Sequence, residues 1–197
     1  MSIVTRFSRL GPLTLVAVVS SNRRVTSGRP SLPPRVELLE LDVDRFRYSG
    51  YRNVSIGVWT QQATLEAAQR ITRLSQRMIE LHPGGHSNVV FILDGAPAPT
   101  PEAQQEFSGL YDERNSRLAC MAIIVDGGGF WASRMRSMIT GMRLSSPGSL
   151  KLRVHENVGE LLAWFPAEHA ERTGVALDPI AFREVLQLCH DNGTRDA

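Results

Sequence analysis

The chain has 197 residues and is 42% hydrophobic, enough to bury the core of one domain of ordinary size. Its formal charge of +2 is uneven: residues 1–35 hold six arginines and no acid, which leaves 16 basic against 20 acidic residues beyond them. A nucleic-acid-binding face on the folded part is not suggested by this charge, and two cysteines are too few for a disulfide framework, so a reducing, cytoplasmic setting is expected.

Residues 1–35 read as a flexible Arg/Ser/Pro-rich leader. Arg6 and Arg9 precede an apolar run, Leu10 to Val19, with the length of a signal-peptide core. The following Ser20-Ser21-Asn22-Arg23-Arg24 lacks a small-x-small cleavage site, so a signal peptide is the lesser alternative. The run is too short to cross a membrane, and no other segment of the sequence offers a span. Residues 20–35 have too few apolar side chains to offset the entropy of ordering them. The folded domain is expected over 36–170, followed by a C-terminal helical extension over 171–197.

Val36 to Leu41 is a first strand, and Asn53 to Trp59 alternates polar and apolar residues as a second. Their link suits a hairpin or a meander with one more short strand. From Thr60 the period changes. Ala67, Ala68, Ile71, Leu74, Met78 and Leu81 form one helical stripe, with Thr60 or Thr64 as the N-cap and His82-Pro83-Gly84-Gly85 as the stop. Asn88 to Leu93 is the third strand. A helix from Pro101 to about Ser116 turns Ala103, Phe107, Leu110 and Tyr111 inward. Leu118 to Val125 is an unbroken apolar run of the kind found in strands covered on both faces. Asp126-Gly127-Gly128-Gly129 then opens a helix over about Phe130–Met142. Lys151 to Val154 is a short last strand, Val158 to Phe165 a short helix, and Asp178 caps a final helix over Pro179–Cys189. This order predicts an α/β domain with a mixed central sheet, opened by an N-terminal hairpin and continued by alternating strands and helices with right-handed crossovers.

Three strings of the sequence carry a family resemblance. VVFILDGAPAPTPEAQQEF (89–107), CMAIIVDGGGFWASRMRSMITGM (120–142) and LKLRVHENVGELLAWF (150–165) resemble successive strand–helix units of the STAS domain, the fold of sulfate-transporter tails and anti-sigma-factor antagonists. The similarity runs from about Val36 to Phe165 and is greatest to divergent bacterial STAS-like proteins. It implies a non-enzymatic regulatory module with a protein partner, such as a kinase or an anti-sigma-type regulator. In the antagonists, a Ser or Thr at the start of the helix after the third strand is phosphorylated. Their usual Asp-Ser-[Ser/Thr]-Gly-Leu string is absent here. Thr100 is the hydroxyl residue at the comparable place, and Pro101 follows it.

The candidate site residues lie after the third and fourth strands. Thr100, Asp94 and Glu102 are the candidates for regulation and partner binding. Thr100-Pro101-Glu102 also reads as helix punctuation, with Thr as the cap, Pro first and Glu in the first turn. The alternative is a small-ligand or anion-binding domain, in which the free amides of Gly127, Gly128 and Gly129, helped by Arg134 or Arg136, cradle an anion. The loop matches neither the dinucleotide fingerprint nor the Walker pattern. Asp94 and Asp126, at the ends of neighbouring strands, could pair as acid and base or hold a cation, and more commonly cap loop amides. No cofactor is expected. A metal site is not expected either, because Pro83-Gly84-Gly85 breaks the spacing of His82 and His86, and His155, His169 and His190 are scattered. No nucleophile motif is present, and Trp59, Trp131 and Trp164 read as core or rim aromatics.

Overall fold

The computed structural model of the chain describes residues 35–42, 45–109, 118–145 and 150–195. The leader expected over 1–35, Arg35 apart, and the part of the second helix expected over 110–116 lie outside the described residues. The elements run β1 (Glu37–Asp42), β2 (Phe46–Tyr51), β3 (Val54–Trp59), α1 (Leu65–Leu81), β4 (His86–Ile92), α2 (Pro101–Gly109), β5 (Leu118–Val125), α3 (Gly129–Ser145), β6 (Lys151–His155), α4 (Val158–Thr173) and α5 (Pro179–Arg195).

The six strands stand in the sheet in their sequence order. β1, β2 and β3 form an antiparallel meander, so the expected hairpin contains the extra short strand as β2. From β3 to β6 all neighbours are parallel. Each parallel step needs a crossover, and right-handed crossovers that all advance in one direction put their helices on one face. That face is covered by α1, α2 and α3, through Ala67, Ala68 and Ile71, Ala103, and Ala132, Met135 and Ile139. The crossovers alone would leave the other face bare, although Val89, Phe91, Cys120, Ala122 and Ile124 point toward it. The chain after β6 closes it: α4 contributes Leu161 and Phe165, and α5 contributes Phe182, Val185, Leu186 and Cys189.

Helix α5 is therefore part of the core rather than appended to it. Phe182, Val185 and Leu186 have no exposed surface. Burying three such side chains contributes on the order of 6 kcal/mol before the entropy of ordering the helix is counted. The helix also runs past Cys189, because Gly193 packs so closely on β3 that a methyl group there would lie 2.5 Å from Val58 Cγ1. A similar approach occurs inside the meander. Tyr48 lies across its cross-strand partner Gly57, where an added methyl would lie 2.4 Å from Tyr48 Cε2.

Local signals fix the helix ends. The Thr64 side chain accepts from Ala67 N at 3.4 Å, and Asp178 Oδ1 accepts from Ile180 N and Ala181 N at 2.9 and 2.8 Å. Asn157 Oδ1 accepts from Glu160 N at 3.0 Å, and Gly174, in the left-handed region at φ 71°, closes α4. That helix continues eight residues past the expected end at Phe165, carrying Pro166 within it. Proline removes the hydrogen bond to the carbonyl four residues back and its ring crowds that carbonyl, together costing about 3 kcal/mol. The buried side chains on either side of it, Phe165 and His169, hold the helix together across the gap.

Candidate functional site

In open α/β sheets the accessible site lies beyond the carboxyl ends of the parallel strands. Here that edge carries every residue singled out from the sequence. After β4 the chain turns at Leu93-Asp94-Gly95-Ala96, with Ala96 N donating to Leu93 O at 3.0 Å and Gly95 at φ 79°. Asp94 is exposed on this turn. Thr100 then caps α2: its Oγ1 accepts from Ala103 N at 3.2 Å, and its own N–H donates to Ala63 O at 3.0 Å. The hydroxyl is half-buried, and Glu102 in the first turn is exposed. The capping role anticipated for Thr-Pro-Glu is thus fully occupied in the folded chain.

Asp126 ends β5, its N–H donating to Ile92 O at 2.9 Å. Gly127 and Gly129 follow at φ 81° and 73°. Both need glycine for that conformation, and Gly127 needs it for space as well. Asp94 closes over it, so that a methyl at Gly127 would lie 2.5 Å from Asp94 Oδ1. The two aspartates therefore border one loop at the start of α3, whose dipole favours negative charge. An anion approaching Gly127, Gly128 and Gly129 would meet these carboxylates. Arg134 stands on the exposed side of α3. Arg136 instead turns back to Val125 O (3.4 Å) and Glu156 Oε1 (3.3 Å), at the ends of β5 and β6.

His190 joins this edge from α5, with Nε2 at 2.8 Å from Asp126 Oδ2 and its ring centred 5.3 Å from that of Phe91. The sequence reading left His190 among the scattered histidines. The available signal was its position four residues after Leu186 on the buried stripe of α5. Asp126 and His190 form a partly exposed pair able to pass a proton. No group of three or more His, Cys, Asp or Glu among the described residues could hold a metal ion. The tips of the loops also carry apolar surface. Phe130 is 83% exposed at the start of α3, and its neighbour Trp131 donates from Nε1 to Ala96 O at 3.2 Å, tying α3 to the loop before α2.

A second polar cluster lies at the opposite, amino edge of the parallel strands. Asn53 Nδ2 donates to Gly85 O at 2.9 Å, which leaves Oδ1 to accept from His169 Nε2 at 3.1 Å. His169 Nδ1 then accepts from Ser87 Oγ at 2.8 Å, and Ser87 Oγ lies 3.3 Å from Cys120 Sγ. These residue types in this order have the form of a nucleophile, a base and an orienting amide. Their burial rules out that use. Ser87, Cys120 and His169 have no exposed surface. Burial pushes the Cys120 thiol up to about 11, and burial, helped by the Arg52 charge, holds His169 down to about 4. The cluster is a clamp that joins α4 to the turn before β3 and to β4. A smaller one lies on the other face, where His86 Nε2 is 2.9 Å from both Ser55 Oγ and Asn88 Oδ1. Burial lowers His86 to about 4 as well.

No helix among the described residues is long and apolar enough to cross a membrane. No protein-family model matches the chain, and no curated protein or solved structure is significantly similar to it.

Proposed function

We propose that the chain is a regulatory protein-interaction module of STAS-like type, and that it binds a protein partner through the carboxyl edge of its sheet. The observation that carries this reading is Phe130, 83% exposed beside the loops that bear Asp94 and Thr100. A large aromatic side chain left in water at the tip of an otherwise ordered edge is the kind of anchor that protein interfaces desolvate. Asp94 and Glu102 are exposed on loops and helix ends of the same edge, so the partner would offer an apolar pocket with basic side chains at its rim.

Thr100 is the regulatory residue of this reading. Its hydroxyl is an acceptor at a helix N-terminus, where a phosphate would be tolerated by the helix while adding roughly −1.5 to −2 charge to the docking surface. That charge would weaken an apolar contact or recruit a more basic partner. The test is affinity capture from the native host with the full chain, run in parallel with Phe130→Asp and with Thr100→Glu. A partner recovered by the wild type and lost with Phe130→Asp supports the reading. Recovery of the same proteins by wild type and Phe130→Asp would sink it, as would turnover of a small molecule by a chain that captures nothing.

A further inference from the structure

A pocket of about 80 Å³ lies between the sheet and α1, α2 and α3. Gln61 and Pro97, both exposed, stand at its mouth on the carboxyl edge. Its walls include Trp59, Ala63, Val90 and three methionines, Met121, Met135 and Met138. No lining residue carries a charge. Tyr48 and Asn88 also line it, and neither has a side-chain oxygen or nitrogen that is buried without a hydrogen-bond partner. The interior therefore favours apolar atoms and holds nothing that would compensate a charge for its lost water. An engineered cavity of about 150 Å³ in another protein holds one benzene ring, so about half that volume takes about three or four carbons. That is the size of a valine or leucine side chain, too small for an aromatic ring or for the length of a lipid chain.

The position of the mouth decides what such a group belongs to. Ala96 lines the pocket, and Trp131 Nε1 donates to Ala96 O at 3.2 Å. The residue before Trp131 is Phe130, 83% exposed. A partner that takes Phe130 out of water therefore also lies close to the mouth. Asp94, two residues before Ala96, is exposed beside it, and no basic residue lines the pocket. We propose that the pocket receives one aliphatic side chain, of valine or leucine size, from a basic segment of the protein partner. This rests on the docking reading above and supplies the partner's half of it. Phe130 enters the partner, while the partner's aliphatic residue, flanked by Lys or Arg facing Asp94, enters the pocket.

The test uses the full chain labelled with ¹³C at its methionine methyl groups and titrated with short blocked peptides. Acetyl-Lys-Leu-Lys-amide should shift the Met121, Met135 and Met138 methyls saturably and leave Met78, which does not line the pocket, unmoved. Acetyl-Lys-Ala-Lys-amide, lacking three carbons, should bind roughly fiftyfold more weakly. Acetyl-Glu-Leu-Glu-amide should bind about fivefold more weakly than the Lys peptide at low ionic strength, and about equally in about 0.5 M salt. 1-Octanol should bind no more tightly than 1-butanol, because carbons beyond the fourth stay outside. Ala63→Leu puts three carbons into the pocket and should abolish the shifts. Absence of a saturable shift with the Lys-Leu-Lys peptide overturns the proposal, as does equal binding of the Ala peptide or persistence of the shifts in Ala63→Leu. Equal binding of the Glu peptide at low ionic strength overturns the basic character of the segment. A steady gain in affinity with each added alkanol carbon would give the pocket to a lipid chain, and shifts on diluting the chain alone would give it to a second copy. Either result overturns the proposal. The wild-type series decides even if Ala63→Leu does not fold. Because no partner protein enters the assay, the pocket can fail here while capture through Phe130 succeeds, which separates this inference from the docking reading.

Discussion

Lowering the pH from about 7 to about 5 should destabilise the fold by on the order of 4 kcal/mol through two histidines. His86 and His169 are fully buried and neutral, held down to about 4 against 6.5 in an open chain, chiefly by loss of water. The charge of Arg52 acts in the same direction on His169, while the hydrogen bond to Asn88 partly opposes the shift of His86. Because the folded value lies below the unfolded one, the unfolded chain takes up protons first as the pH falls. The contribution is complete above 6.5 and is lost progressively between 6.5 and about 4. At about pH 5 each ring accounts for about 2 kcal/mol, a large part of the stability of an ordinary domain. With a urea dependence of about 2 kcal/mol per molar, the unfolding midpoint should fall by about 2 M. Urea titrations followed by circular dichroism at the two pH values measure this. His169→Gln keeps a hydrogen-bonding side chain that does not titrate, so it should lose about half of the pH effect whatever its stability at pH 7. A wild-type midpoint that does not move, an equal drop in His169→Gln, or a His169 ring that titrates above pH 6 by NMR would refute the reasoning.

Gly57→Ala should force the Tyr48 ring off its seat and destabilise the fold by about 2 kcal/mol, and most of that cost should disappear in a Tyr48→Leu background, as a double-mutant cycle would register. Asp178→Ala removes the cap of α5 and should cost about 1 kcal/mol of global stability in chemical denaturation. Loss of only the α5 signals in hydrogen exchange, with the rest unchanged, would show that the helix is an appendage after all. The Cys120 thiol, raised to about 11 by burial, should resist a water-soluble disulfide reagent in the folded chain and react at once when the chain is unfolded.

Periodicity and capping, which act over a few residues, could be read directly from the chain. The apolar run Leu118–Val125 is a strand buried on both faces, the stripe from Ala67 faces the sheet as far as Met78 while Leu81, expected to continue it, is exposed at the helix end, and Thr64, Thr100 and Asp178 cap helices. The placement of Asp94, Thr100 and Asp126 on one edge also followed, because strand–loop–helix order alone sends those loops to the same side. What joins distant segments could not be read in this way. Ser87 meets His169 across 82 residues, and Asp126 meets His190 across 64. Neither pair leaves a mark on local propensity. Helix α4 runs on past Phe165, the expected end, because the cost of Pro166 is local while the packing of Phe165 and His169 that outweighs it is not.

Sequence alone thus determined the elements, their alternation and the edge on which a site would lie. Only tertiary structure decided that α5 completes the second face, that Asp94 closes over Gly127, and that His190 reaches Asp126. Elements arise from backbone hydrogen bonds and from side-chain spacing within a turn or two of chain. Faces, close approaches and cavities arise from which surfaces the crossovers bring together, and that depends on the whole chain at once.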